Sequence, residues 1–182
     1  MTKTVAIAIL AGAAALAQEY RLSAPVPAFS LATLQGGAVS FRPVESAATV
    51  VIFMSTKCPV SNRYSQRMIE LYKDYSAKGV QFVFVNANQN EPPEEIVEHS
   101  RAAGYPFPVY KDSGNVLADK FGAQFTPETF VIDKTGVLRY HGRIDDAQTV
   151  ARVQQHSLRL AIDAVLAGRP VDPAETRAFG CT

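Results

Sequence analysis

TVVIFMSTKCPVSNRY, residues Thr49 to Tyr64, sets a lone cysteine between two differently patterned runs. Thr49 to Met54 is continuous, apolar and rich in β-branched side chains, the pattern of a central strand buried on both faces. After Pro59 the period lengthens. Tyr64, Met68, Leu71, Tyr72 and Tyr75 recur at three- and four-residue spacing, which predicts a helix over 59–78 with Pro59 in its first turn and Gly79 past its end. Cys58 therefore falls at a strand-to-helix junction. Unpaired N–H groups of the first turn carry partial positive charge there, and Lys57 adds a full one. Both favour a thiolate, which an unperturbed cysteine forms only near pH of about 8.5. A structural cysteine acting as a small hydrophobe belongs inside the strand, among Val50 to Phe53, so its position after Lys57 points to a reactive sulfur.

Outward from this junction the chain alternates strands and helices. Phe29 to Leu34 and Ala38 to Phe41 flank Gln35-Gly36-Gly37 and read as a hairpin. Val80 to Asn86 is a second buried strand. The polar loop Asn88 to Glu91 and Pro92-Pro93 open a helix over 94–103, whose acidic start complements the helix dipole. A short strand is expected at Phe107 to Tyr110 and a short helix over 115–121. Thr129 to Asp133 and Val137 to His141 are strands around a turn at Asp133 to Gly136. A final helix is expected over 147–167, stopped by Gly168-Arg169-Pro170. The order predicts an α/β fold, a central mixed β-sheet with helices on both faces and an extra N-terminal β-hairpin.

At 182 residues the chain suits one domain. Lys3, the apolar run Val5 to Leu10 and the small-x-small end Ala15-Leu16-Ala17 read as a signal peptide over 1–17, cleaved before Gln18. Left uncleaved, the same segment would serve as a helical anchor. Cleavage leaves a domain over 18–168, a polar tail over 169–182 and no stable membrane anchor, and it places the protein in the periplasm or outside the cell. The formal charge of +1 supplies no basic field for nucleic acid. Export matters because only two cysteines occur, Cys58 and Cys181, and in an oxidising compartment two thiols pair or react.

From Ala24 to Ala167 the chain resembles the thioredoxin-like superfamily, in its redoxin branch, the AhpC/TSA or peroxiredoxin-like proteins. The resemblance rests on Ala24-Pro25-Val26-Pro27-Ala28-Phe29-Ser30-Leu31, on Phe53 to Pro59, on Tyr105-Pro106-Phe107-Pro108-Val109, and on Thr126-Pro127-Glu128 to Asp133. It implies a three-layer thioredoxin-like fold with Cys58 as the attacking sulfur. It also implies that Pro127 is a cis-proline facing that sulfur, with Thr126 offering backbone groups to an incoming chain. Ser61 stands where the resolving cysteine of a vicinal motif would be. Ser55, three residues before Cys58, can supply the hydroxyl of a peroxidase site. The peroxidase arginine has no fixed counterpart; Arg63, Arg139 and Arg143 are substitutes that the spacing does not separate.

The ten residues from Val171 to Cys181 extend to about 33–36 Å, more than the roughly 15 Å radius of gyration of such a domain. The tail can therefore reach Cys58. A sulfenic acid on Cys58 could condense with Cys181; a permanent disulfide, or a tail cysteine paired to another molecule, remain alternatives. His99, His141 and His156 fall on separate elements without metal-ligand spacing, and no Cys-x-x-Cys-His haem pattern occurs. The expected protein is an exported thiol-based antioxidant oxidoreductase without cofactor or metal. It would reduce peroxides through Cys58 and Cys181, supported by Ser55, Lys57, Thr126 and Pro127, with an external thiol reductant such as a thioredoxin-like protein. The alternatives are a thiol–disulfide oxidoreductase of exported proteins and a non-catalytic thioredoxin-like binding module.

Overall fold

The computed structural model describes residues 20–182, so the signal peptide expected over 1–17 lies outside the described residues. A seven-stranded sheet organises the chain: β1 (Phe29–Thr33), β2 (Ala38–Phe41), β3 (Ala48–Phe53), β4 (Val80–Asn86), β5 (Val109–Lys111), β6 (Glu128–Asp133) and β7 (Leu138–Gly142). Their spatial order is β2-β1-β5-β4-β3-β6-β7. β3 pairs in parallel with β4, and β4 with β5, while the β6–β7 and β1–β2 hairpins add antiparallel margins. The sheet is mixed, as the strand order in sequence predicts.

All six residues of β3 are buried, which is what a continuous β-branched run is suited to. Alternate side chains serve two cores. Val50 and Ile52 pack with Met68 and Leu71 of α2 (Ser65–Ser76), Ile96 of α3 (Pro93–Ala102), and Leu158 and Ile162 of α5 (Ser157–Leu166). Val51 and Phe53 face the opposite layer, where Leu117 and Phe121 of α4 (Val116–Phe121) meet Tyr20 and Val26 of the N-terminal segment. Helices thus cover both faces, and the three-layer arrangement follows.

Three elements depart from the sequence expectation. The helix expected over 59–78 is two, α1 (Pro59–Arg63) and α2, broken at Tyr64. The Tyr64 N–H bonds back to Ser61 O at 3.0 Å, a tightened turn, while the Arg67 guanidinium lies 3.6 Å above the Tyr64 ring. The apolar period runs through this bend and so conceals it. The helix expected over 147–167 forms only from Ser157. Before it, Arg67 binds the carbonyls of Ala147 and Gln148, and Asp146 binds Gln154 N and Gln155 O, so the segment doubles back. The strand expected at Phe107 to Tyr110 begins two residues later, at Val109.

The tail over 169–182 lies along the domain. It runs past β7, where His141 N donates to Ala174 O and Thr176 N to His141 O, both at 3.0 Å. Gly142 makes this approach possible, because a Cβ there would sit 2.2 Å from Thr176 Oγ1.

Candidate functional site

Cys58 is the N-cap of α1, and its sulfur accepts a hydrogen bond from Ser61 N at 3.3 Å. The positively polarised first turn therefore does reach the sulfur, through one named N–H. Ser61, in the place of a second cysteine, is buried, and its Oγ accepts from Ser55 N at 3.2 Å. Ser55 Oγ accepts from Cys58 N at 3.0 Å and donates to Glu91 Oε1 at 2.5 Å. The Ser55 proton is thus directed at a carboxylate.

Glu91 is the residue that sequence reasoning missed. It is 1% exposed. Its carboxylate accepts from Thr56 N at 2.8 Å, Lys57 N at 3.1 Å, Asn88 Nδ2 at 2.9 Å and Asn86 Nδ2 at 2.5 Å, besides Ser55. Burial opposes its charge, but these donors outweigh burial and hold it at about 2. Lys111 on β5 completes the network, with Nζ on Asn86 Oδ1 at 3.0 Å and on Glu91 O at 2.8 Å. The one legible signal is a polar Asn86 closing the apolar run Phe82 to Val85. Nothing in spacing links Glu91 to a loop more than thirty residues earlier.

Lys57, expected to present its ammonium to the sulfur, gives it instead to Glu95 Oε2 at 3.0 Å and to Asn90 O at 2.5 Å. The Thr126–Pro127 bond is cis, and Thr126 O lies 3.1 Å from Cys58 Sγ. Behind them Glu128 is buried. It accepts from Gln124 N at 2.6 Å and Phe125 N at 2.9 Å, and pairs with His141 Nε2 at 2.6 Å. These bonds fix the loop that carries Thr126.

A disulfide joins Cys58 to Cys181, 123 residues apart in sequence, with Cα atoms 5.8 Å apart. Cys181 also pairs with Thr126 as an antiparallel bridge, Thr126 N donating to Cys181 O at 2.9 Å and Cys181 N to Thr126 O at 3.3 Å. Cys58 is 3% exposed beneath its partner. A cleft of about 200 Å³ opens beside the bond, lined by Ser55, Lys57, Asn88, Asn90, Glu91 and Thr182 as well as both cysteines and Thr126. None of the candidate arginines lines it. Arg139 is paired with Asp133 at 2.5 Å, Arg143 binds Ser157 Oγ and Gln155 Oε1, and Arg63 binds Gln148 Oε1. The histidines are apart as well: His99 is on Asn62, His141 on Glu128 and His156 on Asp145.

A model of the AhpC/TSA family matches residues 22–141. The thiol-disulfide oxidoreductase ResA of Halalkalibacterium halodurans is 31% identical over 114 residues, 62% of this chain and 64% of that protein, so the chain spans just under two thirds of its length. A conserved protein of Geobacillus kaustophilus shares the fold at a TM-score of 0.80 and 32% identity, over 89% of this chain and 90% of that one. A thiol:disulfide interchange protein of the thioredoxin family from Chlorobium tepidum TLS superposes at a TM-score of 0.62 and 23% identity, over 81% and 99% of the two chains, a likeness of fold.

Proposed function

We propose that this chain, which belongs to the AhpC/TSA family of the thioredoxin-like superfamily, is a thiol–disulfide oxidoreductase of exported proteins. The observation that carries the reading is the bond between Cys58, at a helix mouth, and Cys181, bridged through its backbone to Thr126. In the reduced protein Cys58 attacks a substrate disulfide as the thiolate. It forms a mixed disulfide and expels one substrate thiol. Cys181 then attacks Cys58 Sγ, releasing the second substrate thiol and closing the bond seen here. Two protein thiols are oxidised and one substrate disulfide is reduced. An external dithiol, of thioredoxin-like type, restores the pair, and no bound cofactor takes part. Export through residues 1–17 fits a chain whose two cysteines are both committed to a disulfide.

Peroxide reduction by the same sulfur is the weaker reading. Ser55 directs its hydroxyl proton to Glu91, and the cleft beside Cys58 has no arginine among its lining residues. The ResA relative is a thiol-disulfide oxidoreductase.

The test is reduction of insulin disulfides with dithiothreitol as electron source. The wild-type chain is expected to accelerate it, Cys58→Ser to abolish the acceleration, and Cys181→Ser, reduced and then freed of dithiothreitol, to trap insulin as a mixed disulfide at Cys58. A wild-type rate no better than that of Cys58→Ser, or efficient hydrogen peroxide turnover in its place, would overturn the reading.

A further inference from the structure

The tail holds Cys181 in a manner that a disulfide alone does not require. Its main chain exchanges both N–H···O bonds with Thr126, so Cys181 forms a one-residue antiparallel bridge to the loop that faces Cys58. Gly180 is the closest point. A Cβ there would lie 2.2 Å from Thr126 O and 2.7 Å from Thr126 C, and real Cβ atoms do not approach backbone so closely. Gly180 is not among the residues with positive φ, so clearance, and not backbone conformation, is what demands glycine there. Farther back the tail has a second anchorage that owes nothing to sulfur. Thr176 Oγ1 is 2.7 Å from Tyr140 Oη and accepts from Arg143 N at 3.1 Å. Between the anchors, Ala178 is buried and Phe179 packs on the main core.

We infer that the last residues of the tail are a built-in substrate mimic, and that the preferred substrate is an extended polypeptide segment with a glycine immediately before its disulfide-bonded cysteine. This rests on the reading of Cys58 and Cys181 as a redox pair. In the mixed disulfide the substrate cysteine takes the sulfur position that Cys181 occupies here, because both are bonded to the same Cys58 Sγ. The geometry of the mimic then defines the substrate's backbone: paired with Thr126 in both directions, with no side chain over the Thr126 carbonyl. Tail and substrate cannot be seated together. Residues 180–182 leave as the substrate enters and return as Cys181 displaces it, while the anchor at Thr176 keeps the tail close enough for return. Specificity and resolution are thus performed at one seat by two chains in turn.

The experiment uses the full chain carrying Cys181→Ser, reduced, with Cys58 as its only thiol. The probe is a synthetic copy of residues 175–182 whose cysteine is in mixed disulfide with 5-thio-2-nitrobenzoate. Cys58 attacks the peptide sulfur, the peptide becomes bonded to Cys58, and thionitrobenzoate leaves with the electron pair and is read by its absorbance. The peptide is expected to react about tenfold or more faster than the same peptide with alanine in place of its glycine, the worth of the backbone bonds lost at Thr126. Equal rates overturn the inference. Ellman's reagent on the same variant separates the two levels: if it reacts while the peptides are not distinguished, only the mimic falls. If Cys58 is inert to every reagent, the redox reading falls with it. In the otherwise native chain, Gly180→Ala is expected to speed dithiothreitol reduction of the Cys58–Cys181 bond about tenfold, and an unchanged rate would also count against the mimic.

Discussion

The two cysteines share a bond and little else. Cys58 is buried in a loop whose N–H groups at 56 and 57 are bound to Glu91, whose Ser55 is bound at both ends, and whose carboxylate is itself fixed by Asn86 and Asn88. Cys181 lies on the tail, held by its sulfur, by a backbone pair with Thr126 and by the Thr126 hydroxyl. One sulfur is placed by a polar network deep in the domain; the other is delivered by a tail whose own anchors lie behind it, at residues 174–179. Exchange chemistry requires this inequality. The attacking group must stand in a fixed field, and the resolving group must withdraw to admit a substrate.

The comparison can be broken from either side. Removing the bond is the largest change. Reduction, or Cys181→Ser, frees a loop closed across 123 residues, and should lower unfolding free energy by about 5 kcal/mol in the chain-entropy account. Matched urea titrations of oxidised and reduced protein read this directly, and coincident midpoints would mean that the tail constrains nothing in the unfolded chain. Next in size is the fixed half. Glu91→Ala strips a buried carboxylate from its donors and should cost about 3 kcal/mol. The same group sets an acid dependence. Its folded value of about 2 lies below its ordinary 4.5, so its contribution is complete above 4.5 and drains away as pH falls toward 2. Acid titration of stability should therefore be shallower in Glu91→Gln, and a parallel curve would remove Glu91 from the account. The smallest effect is expected at the second anchor. Thr176→Val deletes the hydroxyl shared by Tyr140 and Arg143 N and should cost about 1 kcal/mol; since it leaves Thr126 untouched, thiol exchange at Cys58 should change less than in Gly180→Ala.

Much of this arrangement can be read from sequence, and the limits have physical causes. β3 is legible because burial on both faces demands a pattern that its own six residues carry. Cys58 is legible because it follows that strand and precedes a helix, a local relation. The Thr126–Pro127 element is legible only through family resemblance, since a lone Thr-Pro has no such meaning. Glu91 is not legible, because its role comes from β4 lying parallel to β3, which brings the loop after one strand over the loop after the other. The late start of α5 has its cause outside the segment. The Arg67 guanidinium competes for the carbonyls of Ala147 and Gln148, a long-range contact that periodicity within either segment does not encode. The reach of the tail was calculable, but its register against Thr126 was not, since that depends on where Gly142 and Gly180 permit two backbones to touch.

Residues 174–176 have a consequence beyond chemistry. β7 is the last strand of the sheet on its side, and an uncovered margin invites edge-to-edge association with other molecules. By bonding to both backbone groups of His141, the tail guards that margin independently of the disulfide at its end. A protease that clipped the reduced chain ahead of Ala174 would release the segment that covers β7 and would therefore create a sticky molecule as well as an inactive one, with oligomers growing outward from β7.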